Sequence, residues 1–457
     1  MRKGSLWSPV VAGLSVAWGA AMMPTPANAV YTLVGEIPVS ATAANPFNTG
    51  GLLNGPFTSY DISFFDPKTQ LDYVADRSNA SVDVFYAGPG PLHNTQVESV
   101  PGFVGLRAGT PAMPLPVGPP APGVPTPITA LSGADGVVVV NGAAGAPNQH
   151  QLWAGDGNST LKGFTLNNNL PPTVTPTLGN PPGINTGGQF RVDEGAFDPA
   201  HNVLLFANNA ETVPFGTLVN AATGAILGKL TTGVQLPAAT GIEQSVWIGG
   251  TTQRFFLNID TAGAGGIAAI DPTANGGAGA VTHFYDLATF GIGSCGPTGL
   301  AVASGARLTV VCGSGPVLVF DPNANGGNGA LVAQFAQLTG GDEVWCDPTT
   351  NRCFATGLTD AANANSRVVG VIDFNGAAPN LLQLIATSNG DHSVAVDPIS
   401  GEVFVPTGGA VAGAVCPNGC ILVFADVAVP EPASMTLMMT AFAGFAGLVW
   451  SRRRRQS

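Results

Sequence analysis

Three aspartates and one histidine stand at a fixed distance before four Asp-Pro pairs of this chain. The aspartates of these pairs are Asp66, Asp198, Asp347 and Asp397. The residues five positions before these aspartates are Asp61, Asp193, Asp342 and His392. Glu194 and Glu343 stand beside two of them, and Glu243 stands at the matching place of a repeat that lacks the pair. We call these seven residues the acidic set. Carboxylates brought to one place repel one another, so either some of them hold protons or a cation lies between them. Oxygen ligands of this kind favour Ca²⁺ or Mg²⁺ over zinc.

Three roles are open for this acidic set. The acids can cap turns or face channel water, they can hold a divalent ion or a cationic ligand, or they can catalyse a reaction. His392 is the one histidine in the set, and such a residue is more often hydrogen-bonded than a base. The sequence lacks a serine with glycine two residues away on both sides, a His-Glu-x-x-His motif and a Gly-Lys-Ser/Thr loop. Familiar hydrolase and nucleotide-binding motifs are therefore excluded.

The elements that must position these acids repeat along the chain. Apolar runs alternate with turns, and two nearly identical turns, Asp271–Gly277 and Asp321–Gly327, lie 50 residues apart. Repeated units of equal size produce such a spacing. We predict an all-β fold, a seven-bladed β-propeller over residues 30–428, in which the N-terminal strand Tyr31–Ile37 completes the last sheet and removes its open edge. The inner strands of a propeller line a channel, so the acidic set is predicted to meet at the channel mouth.

Charge excludes one class of partner. Sixteen Lys and Arg stand against 28 Asp and Glu, a net charge of −12. Six of the cations lie in two terminal runs, at residues 2–3 and 452–455, so the chain between them is more acidic still. Such a surface repels phosphate, and we expect no nucleic-acid partner.

The N-terminus has the features of an export signal. Arg2 and Lys3 precede an apolar stretch, and Ala27-Asn28-Ala29 has small residues where signal peptidase cleaves. We therefore expect residues 1–29 to be a signal peptide that signal peptidase removes. Export permits disulfides, and six cysteines allow fifteen pairings. Spacing favours three pairs of near neighbours, which are Cys295 with Cys312, Cys346 with Cys353, and Cys416 with Cys420.

The C-terminus combines three features in one order. Pro430-Glu431-Pro432 comes first, an apolar segment at 435–450 follows, and four arginines end the segment at 452–455. An apolar run of this length can cross a bilayer, with the arginines on the cytoplasmic side. Residues 429–457 therefore resemble the PEP-CTERM sorting signal of Gram-negative bacteria, which an exosortase reads. The resemblance implies transient inner-membrane anchoring, cleavage near Pro-Glu-Pro, and a mature protein at the cell surface or in the extracellular space, often with exopolysaccharide or other envelope components as partners.

One repeat carries a second resemblance. Tyr73-Val74-Ala75-Asp76-Arg77-Ser78-Asn79, followed by Val82-Asp83-Val84-Phe85, is similar to a blade of the NHL and YncE-like propellers. A proline-rich stretch at about 110–127 follows this repeat, and we expect it to be an extended insertion, with a break between two domains as the alternative.

Two functions of different classes follow from the sequence. The first is a non-catalytic binding protein of the cell surface or extracellular matrix. The alternative is a divalent-metal-dependent hydrolase or lactonase, with Ca²⁺ or Mg²⁺ held in the channel by several acids of the set. Fold alone does not separate them, because propellers host many functions.

Overall fold

The computed structural model describes residues 30–40, 57–107, 129–142, 150–167, 174–178, 183–261, 263–360, 366–388, 390–408, 416 and 418–427. The predicted signal peptide (1–29), the core of the proline-rich insertion (110–127) and the sorting segment (429–457, with its apolar run at 435–450) lie outside these ranges. Within them, no helix has the length and apolarity needed to cross a membrane. Residues Tyr31–Asp426 make up one compact unit.

Antiparallel β-strands make up almost all the regular structure. The first strand along the chain is β1 (Tyr31–Pro38). The next sheet is formed by β2 (Tyr60–Asp66), β3 (Leu71–Asp76), β4 (Ser81–Tyr86) and β5 (Thr95–Pro101). A five-stranded sheet follows, with β6 (Val137–Val140), β7 (Gln151–Asp156), β8 (Thr160–Leu166), β9 (Val174–Leu178) and β10 (Ile184–Asn185). The third consists of β11 (Gly195–Asp198), β12 (Val203–Asn208), β13 (Phe215–Asn220) and β14 (Ile226–Thr231).

The second half of the chain continues the pattern. Its first sheet contains β15 (Gly241–Ile248), β16 (Arg254–Asp260), β17 (Gly266–Asp271) and β18 (Ala280–Asp286). An eight-stranded sheet contains β19 (Pro297–Ala303), β20 (Arg307–Cys312), β21 (Pro316–Asp321), β22 (Ala330–Thr339), β23 (Val344–Asp347), β24 (Arg352–Leu358), β25 (Arg367–Asp373) and β26 (Asn380–Ala386). The last is formed by β27 (Ala395–Val396), β28 (Val403–Thr407), β29 (Cys420–Asp426) and β1. The helical segments of the described chain are short turns at Thr129–Leu131, Ala274–Gly277, Leu287–Phe290, Ser304–Ala306 and Ala324–Gly327.

The inner strands surround a central channel. Each contacts the next, in the order β2, β6, β11, β15, β19, β23 and β27, and β27 contacts β2. This closed circuit of antiparallel sheets is a propeller-like architecture, as the sequence predicts. We call the face where the inner strands begin the mouth, and the face where they end the turn face.

Aspartates build the turns of the turn face. Asp66 accepts the N–H of Lys68 at 3.1 Å, and Asp347 accepts the N–H of Thr349 at 2.8 Å. An aspartate that accepts the backbone N–H two residues ahead closes a tight turn without help from other elements. This local bond explains why each inner strand with an Asp-Pro pair ends there.

The N-terminal strand completes the last sheet, and this prediction is confirmed. Tyr31 pairs with Asp426 at one end of β1, and Pro38 pairs with Cys420 at the other. The strand is also held by its neighbour, because the Gln383 side-chain amide accepts the N–H of Tyr31 at 2.8 Å and donates to its C=O at 2.9 Å. An edge strand bonded on both sides offers little backbone for pairing with another chain.

Three disulfides close short segments of the chain. Cys295 is bonded to Cys312, Cys346 to Cys353 and Cys416 to Cys420, which are the predicted pairs. Cys346 and Cys353 are directly opposed in β23 and β24, with Cα atoms 4.0 Å apart. Cys295 lies just before β19, with its Cα atom 4.5 Å from that of Cys312 at the end of β20.

Candidate functional site: the mouth and the channel

The whole predicted acidic set lies at the mouth. The buried members are Asp61, Asp193, Glu194 and Glu343, and Glu243, Asp342 and His392 are half-buried. Each stands at or just before the beginning of an inner strand, so the closed circuit brings all seven together. Their arrangement divides into an ion-paired group and a pair of glutamates.

Two arginines neutralise the ion-paired group. Arg77 donates to Asp61 and, at 2.7 Å, to Asp135, and it also donates to the C=O of Tyr60 at 2.8 Å. Arg191 lies 2.8 Å from Asp193 and 3.7 Å from Asp61. Burial alone would raise the pKa of Asp61, but the two guanidinium groups outweigh it and lower that pKa below its ordinary value. The cation that the acids require is therefore supplied by the protein.

The next acids around the mouth are less well neutralised. Burial raises the pKa of Asp193 to about 7, with Arg191 opposing the shift and Asp61 adding to it. Burial, followed by the charge of Asp193, raises the pKa of Glu243 to about 8. Asn209 bridges these two residues, since its amide donates to Asp193 at 2.5 Å and to Glu243 at 3.2 Å. Near neutral pH this part of the mouth is partly protonated.

Glu194 and Glu343 form the second group. Burial and their mutual proximity raise the pKa of Glu194 well above its ordinary value, and burial also raises that of Glu343. The two carboxyls lie close enough for their like charges to disfavour ionisation of both. In the described part of the chain, neither forms an ion pair with a lysine, arginine or histidine. One oxygen of Glu194, Oε2, receives no hydrogen bond from any protein donor there.

His392 is held by structural contacts at the rim of the mouth. Its ring stacks on Tyr60 with centroids 4.5 Å apart, and its Nδ1 lies 2.7 Å from the C=O of Gly390. Its Nε2 lies 3.9 Å from Asp61. These contacts fit the predicted hydrogen-bonded role.

The channel behind the mouth is apolar. It contains a cavity of about 470 Å³, and Glu194 and Gln244 line the cavity at the mouth end. Residues such as Val138, Ala196 and Ala301 form its walls. The aromatic residues that line it toward the turn face are Phe64, Phe197, Trp247 and Trp345. Phe64 and Trp345 meet edge to face, with ring centroids 5.0 Å apart.

The carboxylates of the mouth are not arranged around one metal position. Within the described ranges, the one group of three potential ligands whose atoms all lie within 4.8 Å of one another is Glu36 with Cys416 and Cys420. Both of those cysteines are in a disulfide, so neither offers a thiolate. Asp61 and Asp193 instead bond to arginine, and Glu243 accepts from Asn209.

Sequence reasoning missed four residues of the mouth. Arg77, Asp135, Arg191 and Asn209 lie on connections near the mouth, where no Asp-Pro pair follows five residues later to mark them. A signal was present, because Arg191 stands two residues before Asp193 and the chain has few cations to distribute.

Comparisons with known proteins identify the tail and the fold. Residues 428–455 match the PEP-CTERM protein-sorting motif. No curated protein matches the chain in sequence. Among solved structures, the WD40 β-propeller domain of Doa1 matches with a TM-score of 0.52 and 11% identity, over 87% of this chain and 98% of that one. U3-55K matches with a TM-score of 0.51 and 11% identity, over 80% of this chain and 95% of that one. Raptor of Chaetomium thermophilum matches with a TM-score of 0.52 and 12% identity, over 85% of this chain and 29% of the Raptor chain. The chain is therefore similar in fold to WD40-type β-propellers and ends in a PEP-CTERM sorting motif.

Proposed function

We propose that this protein is an exported β-propeller that an exosortase releases from its anchor and that binds a component of the cell surface through its mouth. The sorting motif at 428–455 implies export and exosortase-dependent processing. The propeller fold suggests a binding role, since such folds present loops and a channel mouth to partners.

The finer layout of the precursor belongs to the proposal. Signal peptidase removes residues 1–29 of a Gram-negative precursor, the run at 435–450 anchors it in the inner membrane, and exosortase cleaves near Pro430-Glu431-Pro432. The propeller occupies residues 30–428. We assign it to the NHL and YncE-like group because residues 73–85 are similar in sequence to a blade of those propellers.

The propeller in this proposal has seven blades. Support comes from the circuit of inner strands, which passes through β2, β6, β11, β15, β19, β23 and β27. The eight-stranded sheet counts as two blades, because a single residue pair, Thr339 with Leu358, joins β22 to β24.

The position of the two chain connections favours the mouth as the binding face. Tyr31 and Asp426 pair with each other, and Asp426 lies 3.2 Å from Arg352, the residue that pairs with Asp347 at the turn face. The preceding and following segments therefore leave the propeller at the turn face. The mouth lies on the opposite face, away from the point where the sorting segment is attached. This is the observation that carries the proposal.

The ion pairs of the mouth favour binding over metal-dependent hydrolysis. A lactonase of the predicted kind needs several acids on one ion, whereas Asp61 and Asp193 are bonded to Arg77 and Arg191. Nothing in the arrangement favours the hydrolase over the binding protein.

The experiment compares the precursor in cells with and without exosortase. We expect a product that begins near Val30 and ends near Pro430 only where exosortase is present, as read by intact mass. The product is then tested for retention on exopolysaccharide from the same cells. Product of the same mass in both strains, or no retention, would contradict the proposal.

Two variants with matched charge locate the binding face. Asp342→Asn with His392→Ala changes half-buried groups of the mouth, and Asp321→Asn changes a half-buried acid of the turn face. Asn at position 321 still accepts the N–H of Asn323. We expect the first variant to lose retention at least tenfold and the second to keep it.

A further inference from the structure

The apolar channel ends in an acidic pair that forms no ion pair with a lysine, arginine or histidine of the described ranges. Glu194 is 4% exposed, lines the cavity and has an oxygen without a protein donor in the described chain. The carboxyl of Glu343, whose charge adds to the raised pKa of Glu194, is also 4% exposed. Arg77 and Arg191 serve the neighbouring aspartates instead. A buried acidic pair with an open oxygen is complementary to a group that donates hydrogen bonds and carries positive charge.

The rest of the channel suits an apolar body of modest length. Phe197 comes three positions after Glu194, roughly 10 Å along a strand that rises about 3.3 Å per residue. Valine, alanine and leucine side chains line this distance, and Trp247 and Trp345 lie toward its far end. A cavity of about 470 Å³ is within the range that small-molecule sites occupy.

We propose that the channel binds a small organic ammonium ion, with its ammonium group on the Glu194–Glu343 pair and its apolar body along the channel toward Trp345. The ammonium takes the place of the proton that this buried pair holds and donates to both carboxyls. The displaced proton passes to solvent through the mouth. This inference deepens the proposed binding role by naming a ligand class for the same channel.

The ligand has one charged end because the channel has one charged end. The turn-face end presents aromatic rings and the amide of Asn141, which itself donates to Asp66 at 3.0 Å. A second ammonium there would face no free carboxylate among the residues that line the cavity. A divalent metal ion would use the acidic pair and leave the apolar length of the channel unfilled.

The test titrates hexylammonium chloride into the exported protein by isothermal titration calorimetry at neutral pH. We expect one binding site per chain, and binding of hexan-1-ol that is at least about tenfold weaker, since hydrogen bonds to charged groups are the stronger ones. Equal binding of the two compounds, or no binding of hexylammonium, would overturn the inference. Binding of Ca²⁺ in competition with hexylammonium, with no dependence on alkyl length, would overturn it as well.

Three variants separate the charged end from the apolar wall. Glu194→Gln should weaken hexylammonium binding about tenfold or more and leave hexan-1-ol unchanged, while Ala301→Leu should weaken both by filling the cavity. Glu98→Gln, the same chemical change on the outer strand β5, is the control and should bind as the parent does. Melting curves of all three report whether the fold is intact. Failure of this titration leaves retention on the cell surface unaffected, so the two proposals fail separately.

Discussion

Replacing Arg77 with methionine tests whether the arginines hold the mouth together. The side chain of Arg77 is 5% exposed, and its three bonds go to Asp61, Asp135 and the C=O of Tyr60. Methionine keeps the apolar stem but leaves the two buried aspartates with only the more distant guanidinium of Arg191, which lies 3.7 Å from Asp61 and 3.9 Å from Asp135. Removing one partner of a buried pair costs about 3–5 kcal/mol, and we expect Arg77→Met to lower the free energy of unfolding by that amount.

The assay is urea unfolding of the exported protein followed by tryptophan fluorescence. Arg254→Met is the matched control, because Arg254 and its partner Asp271 have side chains 31% and 22% exposed and lie 3.3 Å apart. Such a surface pair contributes about 0–1 kcal/mol. Adding Asp135→Asn to Arg77→Met should recover part of the loss. If Arg77→Met costs no more than Arg254→Met, the ion-pair account of the mouth is refuted.

Further predictions concern pH, a disulfide and the closing strand. Burial raises the pKa of Asp72 from 3.8 to about 7. Between these two pH values the folded state therefore binds more protons than the unfolded chain. The free energy of unfolding then falls as the pH rises from the lower value to the higher one. Asp72→Asn should reduce this fall by up to about 4 kcal/mol when urea midpoints are compared across that interval. Replacing Cys295 and Cys312 with alanine should cost about 3 kcal/mol, and reductant should then have a smaller effect on the melting temperature. Gln383→Ala removes both bonds to the Tyr31 backbone and should speed amide exchange in β1 at least tenfold, with other outer strands unchanged.

The sequence predicted the fold because its signals are local. Asp-Pro turns close through bonds that span two residues, as at Asp66, and near-neighbour cysteines meet across one hairpin, as Cys346 and Cys353 do. The pairing of Tyr31 with Asp426 is not local, but an unfilled edge in the last repeat required a strand from elsewhere. In each case short-range chemistry or the need to cover an edge left little choice.

The site could be predicted only in part, because its charges are set by contacts between distant residues. Spacing located Asp193 and Glu194, but it gave no means to assign Arg191 to one and an open oxygen to the other. The arginines reach the mouth from connections between strands: Arg191 lies just before β11, and Arg77 lies just after β3. The fold of these connections decides which acids the arginines neutralise. The apolar channel behind Glu194 was also not visible, because periodicity alone does not show which side of an inner strand meets a cavity.

The most direct test of the account is the metal content of the exported protein, measured by elemental mass spectrometry. The protein and an Asp193→Ala variant are first dialysed against millimolar Ca²⁺ and Mg²⁺ and then against buffer. The account predicts about 0.1 equivalent or less of either ion in both proteins, because arginines and protonation of buried carboxyls already balance the mouth. One equivalent bound to the parent and lost in the variant would contradict it and assign the mouth to a metal ion.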